Sequence, residues 1–285
     1  MAEQSAYSDS IDLFDRAYKV QVDTLIVSQL QVQFEVKRSL SAKTANSAEV
    51  KLFNLSEDTR KRLQGMKDVF VTVEAGYADG TSVIFRGQLH EAFSTRDGND
   101  WITSVSSADA AKARKKQRIQ KSFPAGTKVA AIITECAKAL AVGMGNAENA
   151  ASKAQLWNVS PSTVQTGYVA SGDALSQLDR VCRSCGLEWS IQDNQLQLLP
   201  RGQPIAEQGI ILSQSSGLVG SPEHGKGGLV RCRTLMIPNL LPGRRVELQS
   251  KHVNGVYRVE TTTHKGDYAS ADEWGIELEL RVFAK

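Results

Sequence analysis

The sequence predicts a mainly β protein with an α+β insert, built as two related β-barrel domains plus a small α+β domain. Three observations carry this expectation. Strand patterns run from Lys19 to about Ser107; two helical stripes and a hairpin occupy residues 118–203; and the strand pattern returns after residue 204. The division that follows is a tail at 1–18, a first barrel at 19–110, a basic linker at 111–117, the insert at 118–203 and a second barrel at 204–285.

In the first barrel the segments KVQVDTLIV, LQVQFEVKRSL, AEVKLFNL, VFVTVEAGY, SVIFRGQLHEAFSTR and WITSVSSA are separated by turn pairs such as Asp79-Gly80 and Asp97-Gly98. Several alternate apolar and polar residues, as antiparallel strands with one buried face require. One corner breaks the pattern. Ser56 is placed to cap a helix of roughly two turns, with Glu57 and Asp58 at its positive end and Arg60 to Arg62 near its negative end. Gly65 is expected to supply a left-handed exit. Helix punctuation accounts for each polar residue, and no nucleophile with an adjacent base is left over.

The insert reads differently. Val129, Ile132, Ile133, Cys136 and Leu140 form a helical stripe, and SGDALSQLDRVCRSCG forms a second, with Ser171 or Asp173 near its start and Gly186 at its exit. LEWSI and QLQLLP then flank a turn at Asp193-Asn194. Between the helices, GMGNAENAASKAQ is small and polar and reads as a loop.

The last segment repeats landmarks of the first. A strand is expected to end at Asn54-Leu55 in one copy and at Asn239-Leu240 in the other. A strand then reaches Asp79-Gly80 or Asn254-Gly255, another returns, and the final one opens at Asp100-Trp101 or Glu273-Trp274. Gly80 to Trp101 spans 21 positions and Gly255 to Trp274 spans 19. These spacings predict an internal duplication, with the helix after Ser56 an insertion in the first copy and Asn254-Gly255 a tight turn with positive φ.

Composition excludes more than it selects. The 285 residues carry 41% hydrophobic and 23% charged side chains, ordinary for a globular protein, with a net charge of +3. The longest apolar stretch, VAAIITECAKALAVGMG, is broken by Glu135 and Lys138 and is shorter than a membrane span. The polar start MAEQSAYSDS lacks the features of a signal peptide, so synthesis in a cytoplasm with reduced cysteines is expected.

Enzyme signatures are sought in turn. Cys182 and Cys185 have redox or zinc spacing, but a structural zinc site wants four ligands and no second pair accompanies them; they read as core cysteines. The glycine clusters at 143–145 and 225–228 lack the strand-loop-helix setting of a phosphate or dinucleotide site. His90, His224, His252 and His264 have no serine or cysteine partner in sequence context. No catalytic, metal or cofactor residue is nominated. One run stands out: Lys112, Arg114, Lys115, Lys116, Arg118 and Lys121 occur within eleven residues with no acid among them. It reads as a solvated connector or a grip for an acidic partner.

As an ordered set, AEVKLFNLSEDTRKRL, VTVEAGY, IFRGQL, GLEWSIQDNQLQLLP, SGLVGSPE, LMIPNLLPGRRVEL and GVYRVETTTHKGDYASADEW resemble the baseplate hub proteins of contractile-tailed bacteriophages. The resemblance runs over most of the chain from about residue 18. It implies two tail-tube-like barrels joined by a smaller insert, and a homotrimer between a hexameric tail tube and a trimeric spike, in a virion baseplate. It also implies contacts with the tube protein, the spike protein and other baseplate proteins, while tape-measure protein and DNA pass through a central channel. Three chains with two similar barrels each offer six similar units to a sixfold tube. Two other classes remain open. A tail-associated cell-wall hydrolase would need a catalytic arrangement that the insert does not display, and a nucleic-acid-binding barrel would use the basic run, although aromatics are only 6%. The basic run is expected to lie away from the channel, since a cationic ring would hold a polyanion rather than pass it.

Overall fold

The computed structural model describes residues 15–42, 44–109, 117–148, 162–205, 208–237, 239–270 and 273–283. The first unit comprises β1 (Arg16–Val22), β2 (Leu25–Val27), β3 (Val32–Ser39), β4 (Ser47–Phe53), α1 (Glu57–Gly65), β5 (Phe70–Tyr77), β6 (Gly80–Asp97) and β7 (Asp100–Ala108). The insert holds β8 (Arg118–Phe123), α2 (Val129–Leu140), β9 (Tyr168–Asp173), α3 (Ala174–Ser184), β10 (Leu187–Gln192) and β11 (Gln195–Pro200). The second unit comprises β12 (Ile210–Leu212), β13 (Leu218–His224), β14 (Leu229–Thr234), β15 (Arg245–Gln249), β16 (Asn254–Asp267) and β17 (Trp274–Val282).

The duplication is visible in the pairing. Strand order is β3-β4-β7-β6-β5-β1-β2 in the first unit and β13-β14-β17-β16-β15-β12 in the second. Removing β1 makes the two identical. Direction agrees too: β1 is antiparallel to β5 and β2 to β1, so β2 runs parallel to β5, as β12 does to β15. The end strands of each path are consecutive in sequence, so a short connection brings the two ends together. In the first unit the Tyr18 hydroxyl of β1 also donates to the Leu30 carbonyl just ahead of β3.

The correspondence extends to single residues. The ladder between β6 and β7 shifts register at His90, between Leu89 and Glu91, and that between β16 and β17 shifts at Glu260, between Val259 and Thr261. Counted from these bulges, Trp101 opposite Arg96 and Trp274 opposite Gly266 occupy the same ladder position.

The two units share one sheet and one core. Beyond its bulge β16 pairs with β3 at seven positions, from Thr261 opposite Ser39 to Asp267 opposite Gln33. Beneath this seam Trp274 packs edge-on against Phe34 at 5.4 Å and its Nε1 donates to the Gly76 carbonyl of β5 at 3.2 Å. Leu52, Phe85, Leu248 and Leu280 are buried in the same core, while Ile132, Leu178 and Leu196 belong to a separate core in the insert.

Local signals are mostly realised. Ser56 caps α1 by accepting from Thr59 N, and Asp173 caps α3 by accepting from Ser176 N at 2.8 Å. The Asp193-Asn194 turn has φ of 53° and 64°, the double positive value of a type I′ hairpin. Three expectations are corrected. α1 leaves through Met66 in an extended conformation, so Gly65 is not a left-handed exit. β14 ends at Thr234, and by register Asn54 matches Met236 rather than Asn239, although Asn54 and Asn239 both have positive φ. The hairpin before β16 turns through residues 250–253, because Gln249 already pairs with Asn254. Ser250 makes that turn: its hydroxyl donates to the Val253 carbonyl and accepts from Val253 N.

The insert is anchored to the first unit by Arg38 of β3. Its buried guanidinium donates to the Ile84 carbonyl at 2.8 Å, to Asp193 Oδ2 at 2.6 Å and to Gln192 Oε1 at 3.2 Å. Asp193 Oδ1 accepts from Arg86 N, and Asn46 bridges Gln192 to Asp109. Burial pushes the Asp109 carboxyl up to about 6, against the hydrogen bonds from Asn46. Burial and then the Arg38 charge hold His264, on β16 nearby, down at about 3, and its Nδ1 has no hydrogen-bond partner.

Three outcomes are expected. Gly255 has φ of 147° and an added Cβ would lie 3.3 Å from the Tyr257 ring, so Gly255→Val should cost roughly 1–3 kcal/mol; an unchanged melting temperature would contradict this. Arg38→Met should cost roughly 3 kcal/mol, the low end for a broken buried pair because Asp193 keeps some access to water. Amide exchange should then quicken in residues 187–200 before it does in β14 and β17. His264 titrates near 6.5 when unfolded and near 3 when folded, so its contribution is present above pH 6.5 and is lost as pH falls, by up to about 1.4 kcal/mol per unit. In His264→Leu that loss should vanish from urea midpoints measured between pH 6.5 and 5. The difference between variant and wild type separates it from Asp109, whose raised value acts in the opposite sense.

Candidate functional site

One extended surface is the outward face of the sheet that crosses the seam. Alternation along each strand buries Val36, Val50, Val105 and Leu278 and turns their neighbours to solvent. In register, one row reads Arg233, Glu277, Thr263, Lys37 and Ser47 across β14, β17, β16, β3 and β4. The next reads Lys265, Glu35, Glu49, Ser106 and Glu91 from β16 to β6. Cross-strand ion pairs hold these side chains: Arg231 with Glu279 at 2.8 Å and Lys265 with Glu277 at 2.8 Å. Lys37 bonds Glu35 along its own strand at 2.8 Å. A hollow of about 730 Å³ opens over the seam between β13 and β3, floored by Thr261, Thr263 and Glu277.

This face carries both signs of charge. Lys37, Lys51, Arg231, Arg233, Lys265 and Arg281 are interspersed with Glu35, Glu49, Glu91, Asp97, Glu223, Glu277 and Glu279. Most other positions are serines and threonines, joined by Gln33, Ile102, Gly275 and exposed Phe93. A polyanion passing over it meets anions among the cations, so the release of counterions that drives phosphate binding has little to act on. A serine hydroxyl here has no buried histidine beside it to act as base: His264 projects from the opposite face, into the core.

The basic run lies elsewhere. Lys112, Arg114, Lys115 and Lys116 fall outside the described residues. The flanking residues are both fixed: Asp109 by Asn46 at the foot of the first unit, and Gln117 through its carbonyl, which accepts from Ala174 N in the insert. Arg118 opens β8 and is exposed. Lys121 pairs with Glu135 of α2 at 2.7 Å, and the carboxylate is held below its usual range by Lys121 and Lys138. Lys121 is therefore already answered within the insert.

The cysteines are core groups. Cys182 is fully buried and its thiol is raised well above its ordinary value by burial, while Cys185 is hydrogen-bonded to the Val181 carbonyl at 3.2 Å. Cys136 and Cys232 are pushed up to about 11 and about 12 by the same cause. Among the described residues no group of three or more His, Cys, Asp or Glu could hold a metal ion, and no helix is long and apolar enough to cross a membrane.

Sequence reasoning missed the polar face as a unit. Alternation in VQFEVK and AEVKLF marked each strand's exposed side, but only the β3–β16 pairing places those sides on one surface.

Comparison with known proteins gives the context for such a face. The fold matches the tail protein of Neisseria meningitidis MC58 with a TM-score of 0.65 at 10% identity, covering 94% of this chain and 97% of that one. It matches the 43 kDa tail protein of prophage MuSo2 from Shewanella oneidensis equally well, at 0.65 and 11% identity over 93% and 98%. An E. coli type VI secretion component, described as similar in structure to the T4 tail proteins gp27 and gp5, matches at 0.58 and 10% identity over 94% and 77%. A sequence search of curated proteins matched none. The family model described as Baseplate hub gp41 matches residues 14–272, nearly the whole described fold, and this chain belongs to that family of structural tail proteins.

Proposed function

We propose that three copies of this chain form the hub of a contractile tail or a related injection particle, adapting a sixfold tube to a threefold spike and leaving an open central channel. The observation that carries this reading is the duplication: two units with the same strand order, the same bulge and a tryptophan at the same ladder position. Three such chains present six near-equivalent units, so a sixfold partner meets similar surfaces all round the ring while the chains themselves obey threefold symmetry.

The partners are the tube protein on one side, the spike protein on the other and neighbouring baseplate proteins around the rim, with assembly in the host cytoplasm. The mixed-charge face, with no cationic track, fits the channel wall, where tape-measure protein and DNA slide by without being held. Its work is mechanical and geometric, and no residue acts as a nucleophile, acid or metal ligand. The basic run, Lys112, Arg114, Lys115, Lys116, Arg118 and Lys121, sits away from that wall. In this reading the run is the connector between the first unit and the insert, and those of its cations not already paired, unlike Lys121 with Glu135, steer an acidic neighbour into place.

Light scattering of the purified chain is expected to read a trimer. Lys115→Glu with Lys116→Glu should leave folding intact, slow assembly onto tails and make it less sensitive to salt. Assembly indifferent to the double reversal, or these side chains facing the lumen of an assembled particle, would remove the steering role.

A further inference from the structure

The internal seam has a counterpart that the single chain leaves open. On the edge of β16 away from β17, β15 pairs with Asn254–Arg258 and β3 with Thr261–Asp267. On the equivalent edge of β6, β5 pairs as far as Gln88 and, among the described residues, no strand follows. The consequence shows in exposure: β16 beyond its bulge is largely buried, whereas His90, Glu91, Phe93, Thr95, Arg96 and Asp97 of β6 are exposed. The matching half of the joint is open as well. β13 occupies the place of β3, ends the sheet, and carries exposed Val219, Glu223 and His224.

We infer that the free edge of β6 beyond its bulge pairs antiparallel with the outer edge of β13 in a second copy of this chain, repeating between chains the seam that joins β16 to β3 within one. The inference rests on the trimeric reading above and deepens it to a named surface and register.

The register follows from the shared bulge. Ser106 and Glu279 lie opposite the first residue after each bulge; Glu49 and Arg231 are their partners on the far side; Glu35 and Glu223 are theirs in turn. Glu35 pairs with Lys265 across the internal seam, and Lys265 corresponds to Thr95. Thr95 therefore faces Glu223 of the second copy, and Asp97 faces Val219.

A size exchange supports this register. Within the chain, Phe34 presses on Gly266 so closely that an added Cβ would lie 2.2 Å from its ring. The residue corresponding to Gly266 is Arg96, which needs room. The place corresponding to Phe34 is a widened stretch of β13, where Gly220, Ser221 and Pro222 stand between Val219 and Glu223, with Gly220 at φ of 70°. Where the internal joint sets large against small, the open one sets a long side chain against a bulge without bulk. An edge strand left bare also invites pairing with another chain, and a bulge and a proline on β13 restrict which strand that can be.

The test is cross-linking of the full chain bearing Thr95→Cys and Glu223→Cys with a short bismaleimide. Both positions are exposed, so folding is not at stake, and the four native cysteines are buried, which makes the wild-type chain a clean control. The expected result is covalent dimers and trimers for the double variant, dimers alone when the two single variants are mixed, and neither for each single variant by itself. A trimer by light scattering with no cross-link at this pair would overturn the ladder while leaving the trimeric reading in place. A chain that stays monomeric at high concentration and forms no cross-link would overturn both.

Discussion

The seam between β3 and β16 is the constraint on which the rest of the molecule depends. β16 is long enough to serve two neighbours, so its first residues complete the second unit and its last seven hold the first. Without that overlap both strands would present unpaired backbone groups and the shared core would open to water. The contact leaves no freedom in the residues chosen: Gly266 must lack a side chain because Phe34 fills its place, and Phe34 in turn supports Trp274. β3 also carries Arg38, so the insert is aligned through the same strand. β3 thus touches all three parts, and the insert is tied to the second unit as well by the buried Arg258 of β16, which pairs with Glu188 at 2.9 Å.

How much of this was legible in the sequence depended on whether the signal was local. The Asp193-Asn194 turn, the Ser56 cap and the tryptophans at 101 and 274 could be read because each is fixed by its neighbours in sequence. Asn254-Gly255 misled for an instructive reason. The pair has the composition of a two-residue turn, yet Ser250 makes a wider one with its own hydroxyl, and tertiary pairing drew Asn254 and Gly255 into β16. β9 was missed because YVASGD is short and leads straight into α3, so its strand character rests on the ladder with β8. The seam itself was illegible, since no pattern in β3 states that its second edge will be covered by a strand more than two hundred residues away.

The polar face shows the same division. Each strand's alternation states that one side is polar, but the mixing of charge is a property of rows that run across strands. It exists only once β14, β17, β16, β3, β4, β7 and β6 lie side by side in register. No single residue carries this property: it is an average over a surface. A face that sets carboxylates beside its cations offers a polyanion no cationic track, and cross-strand pairing keeps the charges fixed rather than free to reach out.

In the proposed trimer, the departures from perfect duplication decide the symmetry. If both units were identical, an internal seam and an open edge would be interchangeable, and a ring of such units could close with any number of chains or extend without closing. Two differences remove that freedom. β1 is added in the first unit between β5 and β2, thickening one side of every pair of units. The stretch of β13 that corresponds to Phe34 carries two extra residues, so the outward joint cannot copy the inward one in detail. In the proposed trimer, adjacent units along the ring therefore alternate between a smooth seam made within a chain and a bulged one made between chains. Under that proposal, alternation of two unlike joints lowers sixfold symmetry to threefold while leaving six similar outer surfaces, so that a tube and a spike of different symmetry are seated on the same object without either being distorted.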